Sequence, residues 1–116
     1  MSGASTEQMK AIFEPSSIAI IGASRDSSKL GHLIPKNIIE GGYPGRMYLV
    51  NPKVDEILGL RTYGSIQDIP EPVEQAVIVV PAALVLDVLS QCIRKKVKVV
   101  VVISGGFYWF ASRGEA

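Results

Sequence analysis

A single α/β domain with a parallel sheet covered by helices on both faces is predicted by two observations. Four short β-branched runs contain no alternation of apolar and polar residues, and the first and third are each followed by a loop and then a stretch with helical spacing. Strands that are apolar throughout are those of a parallel sheet, because helices cover both faces and every side chain is buried. The runs are Ile18–Ile21, Met47–Val50, Ala76–Val80 and Val99–Ile103. Right-handed crossovers join such strands, which makes the expected architecture a doubly wound, Rossmann-like sheet.

The helices follow from periodicity. Leu33, Ile34, Ile38 and Ile39 form a stripe between the first two runs, ended by Gly41-Gly42. Pro35 fits this helix only if it lies in the first turn. Leu84, Val85, Val88, Leu89, Cys92 and Ile93 repeat at three- and four-residue steps, with Arg94-Lys95-Lys96 complementing the negative C-terminal end. Residues 1–12 are expected to lead in with a short helix, Glu7 to Phe13, capped by Ser5 or Thr6 and stopped by Pro15. The piece from Ile57 to Ile69 reads as an extended stretch at Leu60–Tyr63 followed by a brief helix from Ser65. Residues 13–107 make the domain, and the aromatic tail 108–116 is expected to fray.

At 116 residues the chain has room for one core. Twelve basic and eleven acidic side chains, spread along the sequence, give a net charge of +1, so no surface for nucleic acid is expected. Any anion must be held by local geometry. The lone cysteine, Cys92, excludes a disulfide framework and a cysteine-rich metal site, and with no signal-type N-terminus suits a reducing cytoplasm. The longest apolar run is far below the roughly 20 residues a bilayer requires, so no membrane partner is expected.

In an open parallel sheet the ligand lies beyond the carboxyl ends of the strands. After the first strand, the loop from Gly22 through Ala23, Ser24, Arg25 and Lys29 to Gly31 offers small residues, a hydroxyl, two cations and a helix N-terminus, a suitable cradle for a pyrophosphate. The compact G-x-G-x-x-G fingerprint is absent, and a plain polar turn would have a similar composition. After the second strand come Asn51, Pro52 and Lys53. A lysine where NAD sites place an acid suits a ribose bearing its own phosphate, as in NADP or CoA, although a solvated lysine after a proline turn would look the same. Val80, Pro81 and Ala82 leave room for a slender ligand, and Ile103, Ser104, Gly105 and Gly106 form a small-residue turn able to expose backbone amides, although a mere strand exit and a tight loop would look the same. His32 has no evident orienting partner, Cys92 sits on an apolar stripe, and the carboxylates show no acid–base pairing. No catalytic or metal-ligating residue is assigned.

In order, these residues resemble the N-terminal CoA-binding domain of NDP-forming (ADP-forming) acyl-CoA synthetases, which are similar to the succinyl-CoA synthetase α subunit. The resemblance rests on Phe13-x-Pro15-x-Ser17 through Ser24, Lys29-Leu30-Gly31, Val50–Lys53, Ile57–Leu60, Asp68–Pro70, Ala76–Ala82 and Val102–Phe107. It implies CoA phosphates on the Gly22–Gly31 loop, the phosphorylated adenosine at Asn51–Lys53, and adenine and pantetheine along Val80–Ala82 and Ser104–Gly106. It also implies a ligase in which CoA or acyl-CoA is presented to a catalytic domain or subunit carrying phosphohistidine and ATP-grasp regions. Tyr108-Trp109-Phe110-Ala111 departs from the family pattern. A stand-alone CoA or acyl-CoA module, the regulatory region of a protein acyltransferase and an NADP-dependent oxidoreductase domain are the alternatives.

Overall fold

The computed structural model describes residues 6–104 and 107–112. In chain order the elements are α1 (Thr6–Phe13), β1 (Ser17–Ile21), α2 (Leu30–Glu40), β2 (Arg46–Val50), β3 (Glu56–Ile57), β4 (Leu60–Tyr63), β5 (Gln75–Ile78), α3 (Val85–Lys95), β6 (Val99–Ser104) and β7 (Phe107–Ser112), with 3₁₀ turns at Ile66–Asp68 and Ala82–Leu84. One seven-stranded sheet runs in the order β3-β4-β2-β1-β5-β6-β7. Its five central strands are parallel, and each edge carries an antiparallel strand.

The expected parallel sheet is thus the centre of a mixed one. The β3–β4 pairing is only two residues long, too brief to register as an alternating pattern. The other edge corrects the expected fraying of the tail over residues 107–112, while residues 113–116 lie outside the described residues. Phe107–Ser112 pairs along the whole of β6, from Val99↔Ser112 to Ser104↔Phe107. A run of aromatic residues has high strand propensity, and the unpaired edge of β6 supplies a template for it.

The four apolar runs become β1, β2, β5 and β6, and their alternate side chains serve two cores. Ala19, Ile21, Tyr48, Val50, Ala76, Ile78 and Val102 pack with Val88 and Cys92 of α3 and with Ile66 and Ile69. Ile18, Ile20, Leu49 and Val77 point the other way and pack against Ile34 and Ile38 of α2. α1 lies on this second side, where the buried Gln75 amide donates to the carbonyls of Ala11 and Ile12, at 3.0 and 3.2 Å. A helix therefore covers each face, as the unbroken apolar strands require.

Pro35 departs from the first-turn position expected for it. α2 begins at Leu30, so the proline is interior and buried. It removes the amide that would bond to the carbonyl of Gly31, four residues earlier. That carbonyl accepts instead from the Ser24 amide, at 3.0 Å. The helix ends as expected: Gly41 caps it through its amide, and Gly42 takes a positive φ of 76°.

Cys92 is buried in the α3 core, and burial pushes its thiol up to about 12 from 9.0. Below pH 9 the thiol is neutral whether the chain is folded or unfolded, and its ionisation has no bearing on stability. Above that, the unfolded chain ionises while the folded chain holds its proton, so this contribution to stability falls as pH rises from about 9 towards 12. Denaturant melts across that range should show the loss, and Cys92→Ala should lessen it, the remainder coming from the Tyr43 and Tyr48 phenols, which burial also holds above their ordinary range. A thiol reagent at pH 8 should label the native chain only on the timescale of unfolding.

Candidate functional site

The strand order reverses about β1, since the chain leaves it for β2 on one side and returns to β5 on the other. Ligands of open α/β sheets bind at this switch point, outside the carboxyl ends of the strands. Here two backbones meet very closely. Gly22 follows β1 with φ of 99°, and a Cβ on it would overlap the carbonyl oxygen of Val79, just past β5. A Cβ on Gly31 would in turn overlap the carbonyl oxygen of Gly22. The two glycines that the sequence places far apart are stacked in space, with only backbone between β5, the β1 loop and α2.

The loop between them is held by several independent bonds. Its base is closed by the Ser24 amide on Gly31 and by His32, whose Nδ1 donates to the Ser24 carbonyl at 2.9 Å. The histidine thus braces the loop. Within the loop, Asp26 Oδ1 accepts from the Ser28 hydroxyl at 2.7 Å and from its amide at 2.9 Å, and the Ser24 hydroxyl accepts from the Asp26 amide at 3.0 Å. Those bonds from Ser28 hold the Asp26 carboxyl below its usual range. On the far side Asn51 reaches across from β2: its Nδ2 donates to the Ala23 carbonyl at 2.8 Å, and its Oδ1 accepts the Lys53 amide at 2.7 Å. One side chain therefore sets both the β1 and β2 loops.

These loops and α3 enclose a cleft of about 960 Å³, within the usual size of small-ligand sites. Gly22, Ala23, Ser24, Lys29, Gly31, Asn51, Pro52, Lys53, Val80, Pro81, Ala82 and Ile103 all line it. Arg25 is turned away: its Nε donates to the Glu56 carbonyl at 2.9 Å and its Nη2 lies 3.8 Å from Asp55, which joins the loop to the β3 edge. Ser104 closes β6, whereas Gly105 and Gly106 lie outside the described residues.

Sequence reasoning missed Gly64, Leu84, Val88 and Gln91, which also line the cleft. Leu84 belongs by its spacing to the core stripe of α3, yet it is half exposed and faces the ligand space. Its place just after the proline turn at a strand exit was the available signal. Gln91 carried none, because a single amide on a helix is unremarkable in sequence.

The electrostatics favour an anion. Lys29, the residue before α2, is extended and offers no side-chain cap, and no acidic residue occupies the first turn. The His32 amide already donates to the Lys29 carbonyl at 3.0 Å, so the amides of Leu30 and Gly31 are the ones that face a ligand at the positive end of the helix dipole. Lys29 and Lys53 add exposed cations on the rim. No cluster of residues able to hold a metal ion occurs among the described residues, and no helix there is long and apolar enough to cross a membrane.

The sequence model of the family described as CoA binding domain matches residues 16–115. The chain belongs to the CoA-binding domain family. It is 46% identical over 111 residues to the alpha subunit of ADP-forming acetate–CoA ligase I from Pyrococcus furiosus, an alignment covering 92% of this chain and 24% of that one. The dinucleotide-forming acetyl-coenzyme A synthetase 1 of Ca. Korarchaeum cryptofilum, solved with phosphate and ADP, superposes with a TM-score of 0.81 at 43% identity, covering 85% of this chain and 21% of the other. A conserved hypothetical protein from Pyrococcus furiosus matches at TM-score 0.70 and 33% identity, covering 78% and 77%. This CoA-binding domain thus spans about a quarter of the length of the curated ligase it matches.

Proposed function

We propose that the chain is the CoA-binding part of an ADP-forming acyl-CoA ligase. In this reading the diphosphate of CoA lies on the Gly22–Gly31 loop, at the Leu30 and Gly31 amides that open α2. Lys53 takes the 3′-phosphate of the adenosine, Val80–Ala82 flank the base, and pantetheine leaves past Ile103 at the end of β6. The observation that carries the reading is the convergence of the β1, β2 and β5 loops on one cleft beside an uncapped helix N-terminus.

The chain supplies no acid, base or nucleophile in this scheme. It binds and orients CoA, and the acyl and phosphoryl chemistry belongs to a domain or subunit bearing the phosphohistidine and ATP-grasp regions, in the cytoplasm. The ligase names of the longer relatives support that assignment. A second reading, a stand-alone module that binds CoA or acyl-CoA without turnover, is favoured by the Pyrococcus furiosus protein of comparable length. Adding a partner that carries the two regions separates them, since only the ligase reading predicts acyl-CoA formation.

Calorimetric titration with CoA, dephospho-CoA and NADP tests the common core of both readings. Saturable binding of CoA is expected, weakened about five- to tenfold by loss of the 3′-phosphate and by Lys53→Ala. The two changes should not add, because each removes the same contact. Binding of NADP alone would overturn the assignment.

A further inference from the structure

We propose that Gln91 reads the base: its amide, held in one orientation by Ser65 and Asp87, pairs with the amino group and neighbouring ring nitrogen of adenine. This inference rests on the cleft being the CoA site. Along α3 and the turn before it, Leu84, Val88 and Gln91 recur at i, i+4 and i+7 and line the same cleft. An apolar ramp therefore ends in an amide. A flat base resting on Leu84 and Val88 would present its edge to Gln91.

The orientation of that amide follows from a count of donors and acceptors. The Ser65 hydroxyl accepts from the Gln67 amide at 3.1 Å and donates to Gln91 Oε1 at 3.0 Å. Gln91 Nε2 donates to Asp87 Oδ2 at 3.0 Å. An ionised carboxylate only accepts, so turning the amide over would set Oε1 against another oxygen. The Gln67 side-chain Nε2 donates to the Gln91 backbone carbonyl at 2.9 Å, tying the 3₁₀ turn to α3. A glutamine amide has two N–H groups and two lone pairs on its oxygen. The bonds to Asp87 and Ser65 use one of each, which leaves one donor and one acceptor for the cleft.

Adenine offers the matching pair, a ring-nitrogen acceptor beside an amino donor, and glutamine is a recurrent bidentate partner of adenine for this reason. A 6-oxopurine puts an oxygen where adenine has the amino group, so the fixed Oε1 would face it without a proton between them. The amide thus selects adenine over its deaminated form.

Calorimetric titration should compare CoA with its analogue carrying hypoxanthine in place of adenine. The wild-type chain is expected to prefer CoA by about tenfold or more. Gln91→Leu should bring the ratio close to one while the preference for the 3′-phosphate persists. Asp87→Asn, on an exposed side chain, frees the amide to turn and should also erase the ratio, with CoA affinity kept within about fivefold. Should Gln91→Leu fail to fold, Asp87→Asn carries the test alone. A wild-type chain that binds both compounds equally, or a folded variant that keeps the full preference, overturns the role of Gln91 and leaves CoA binding standing. Absence of CoA binding to the wild-type chain would remove both.

Discussion

Replacing Gly31 by alanine is expected to abolish measurable CoA binding and to destabilise the fold by about 2–3 kcal/mol. The new Cβ would overlap the Gly22 carbonyl oxygen, and backbone cannot swing aside as a side-chain tip can. Either the start of α2 or the β1 loop must move, and both line the cleft. Gly42→Ala provides the contrast. Gly42 also has a positive φ, 76°, but nothing lies within 4 Å of its would-be Cβ. It should cost about 1–2 kcal/mol of backbone strain and leave CoA affinity unchanged. Denaturant melts and titrations on both variants separate the two effects. If Gly31→Ala bound CoA as well as Gly42→Ala does, the close stacking of backbone would have no part in the site.

Asn51→Asp is expected to weaken CoA binding on the order of a hundredfold, more than Asn51→Ala does. The alanine variant loses both bonds and leaves the carbonyl of the buried Ala23 without its partner. That should cost about 1–3 kcal/mol of stability. The aspartate retains an acceptor for the Lys53 amide, so by contact counting it is the milder change. It nevertheless sets a carboxylate against the Ala23 carbonyl and beside the loop assigned to the diphosphate. The order of affinity should therefore be Asn, then Ala, then Asp, with the aspartate variant recovering as pH falls and its carboxyl gains a proton. The reverse order, with aspartate above alanine, would mean that no phosphate approaches this loop.

Several of these features could be read from the sequence because they are local. Ile18–Ile21 and Val99–Ile103 are short, β-branched and apolar without alternation, the pattern of strands in a sheet buried on both faces. Ser65, expected to open a brief helix, accepts the Gln67 amide at the start of a 3₁₀ turn. What was not legible depends on pairing across long sequence distances. β3 is two residues long and is defined by its partner β4. The strand made by Phe107–Ser112 depends on an open β6 edge, which nothing in the tail itself reveals.

The loops of the site were legible as strand exits, but the division of labour within them was not. Arg25 and Lys29 look interchangeable in sequence, yet the first is bound to the β3 edge and the second lines the cleft. Asn51 reads as one member of a ligand-contacting triplet, whereas its side chain spends its bonds on the two loops. His32 offered no sequence-level partner because that partner is a backbone carbonyl, which no residue type announces.

Pro35 leaves α2 with one backbone bond fewer, and the released Gly31 carbonyl goes to Ser24. The segment from 24 to 31 is thereby closed into a ring before any ligand arrives. The entropy of ordering that ring is lost once, when the chain folds, rather than again at each encounter with CoA. A helix-propensity scale would score the proline as a defect. Judged by the loop it cinches, it is the point at which helix stability is exchanged for a site already shaped for its ligand.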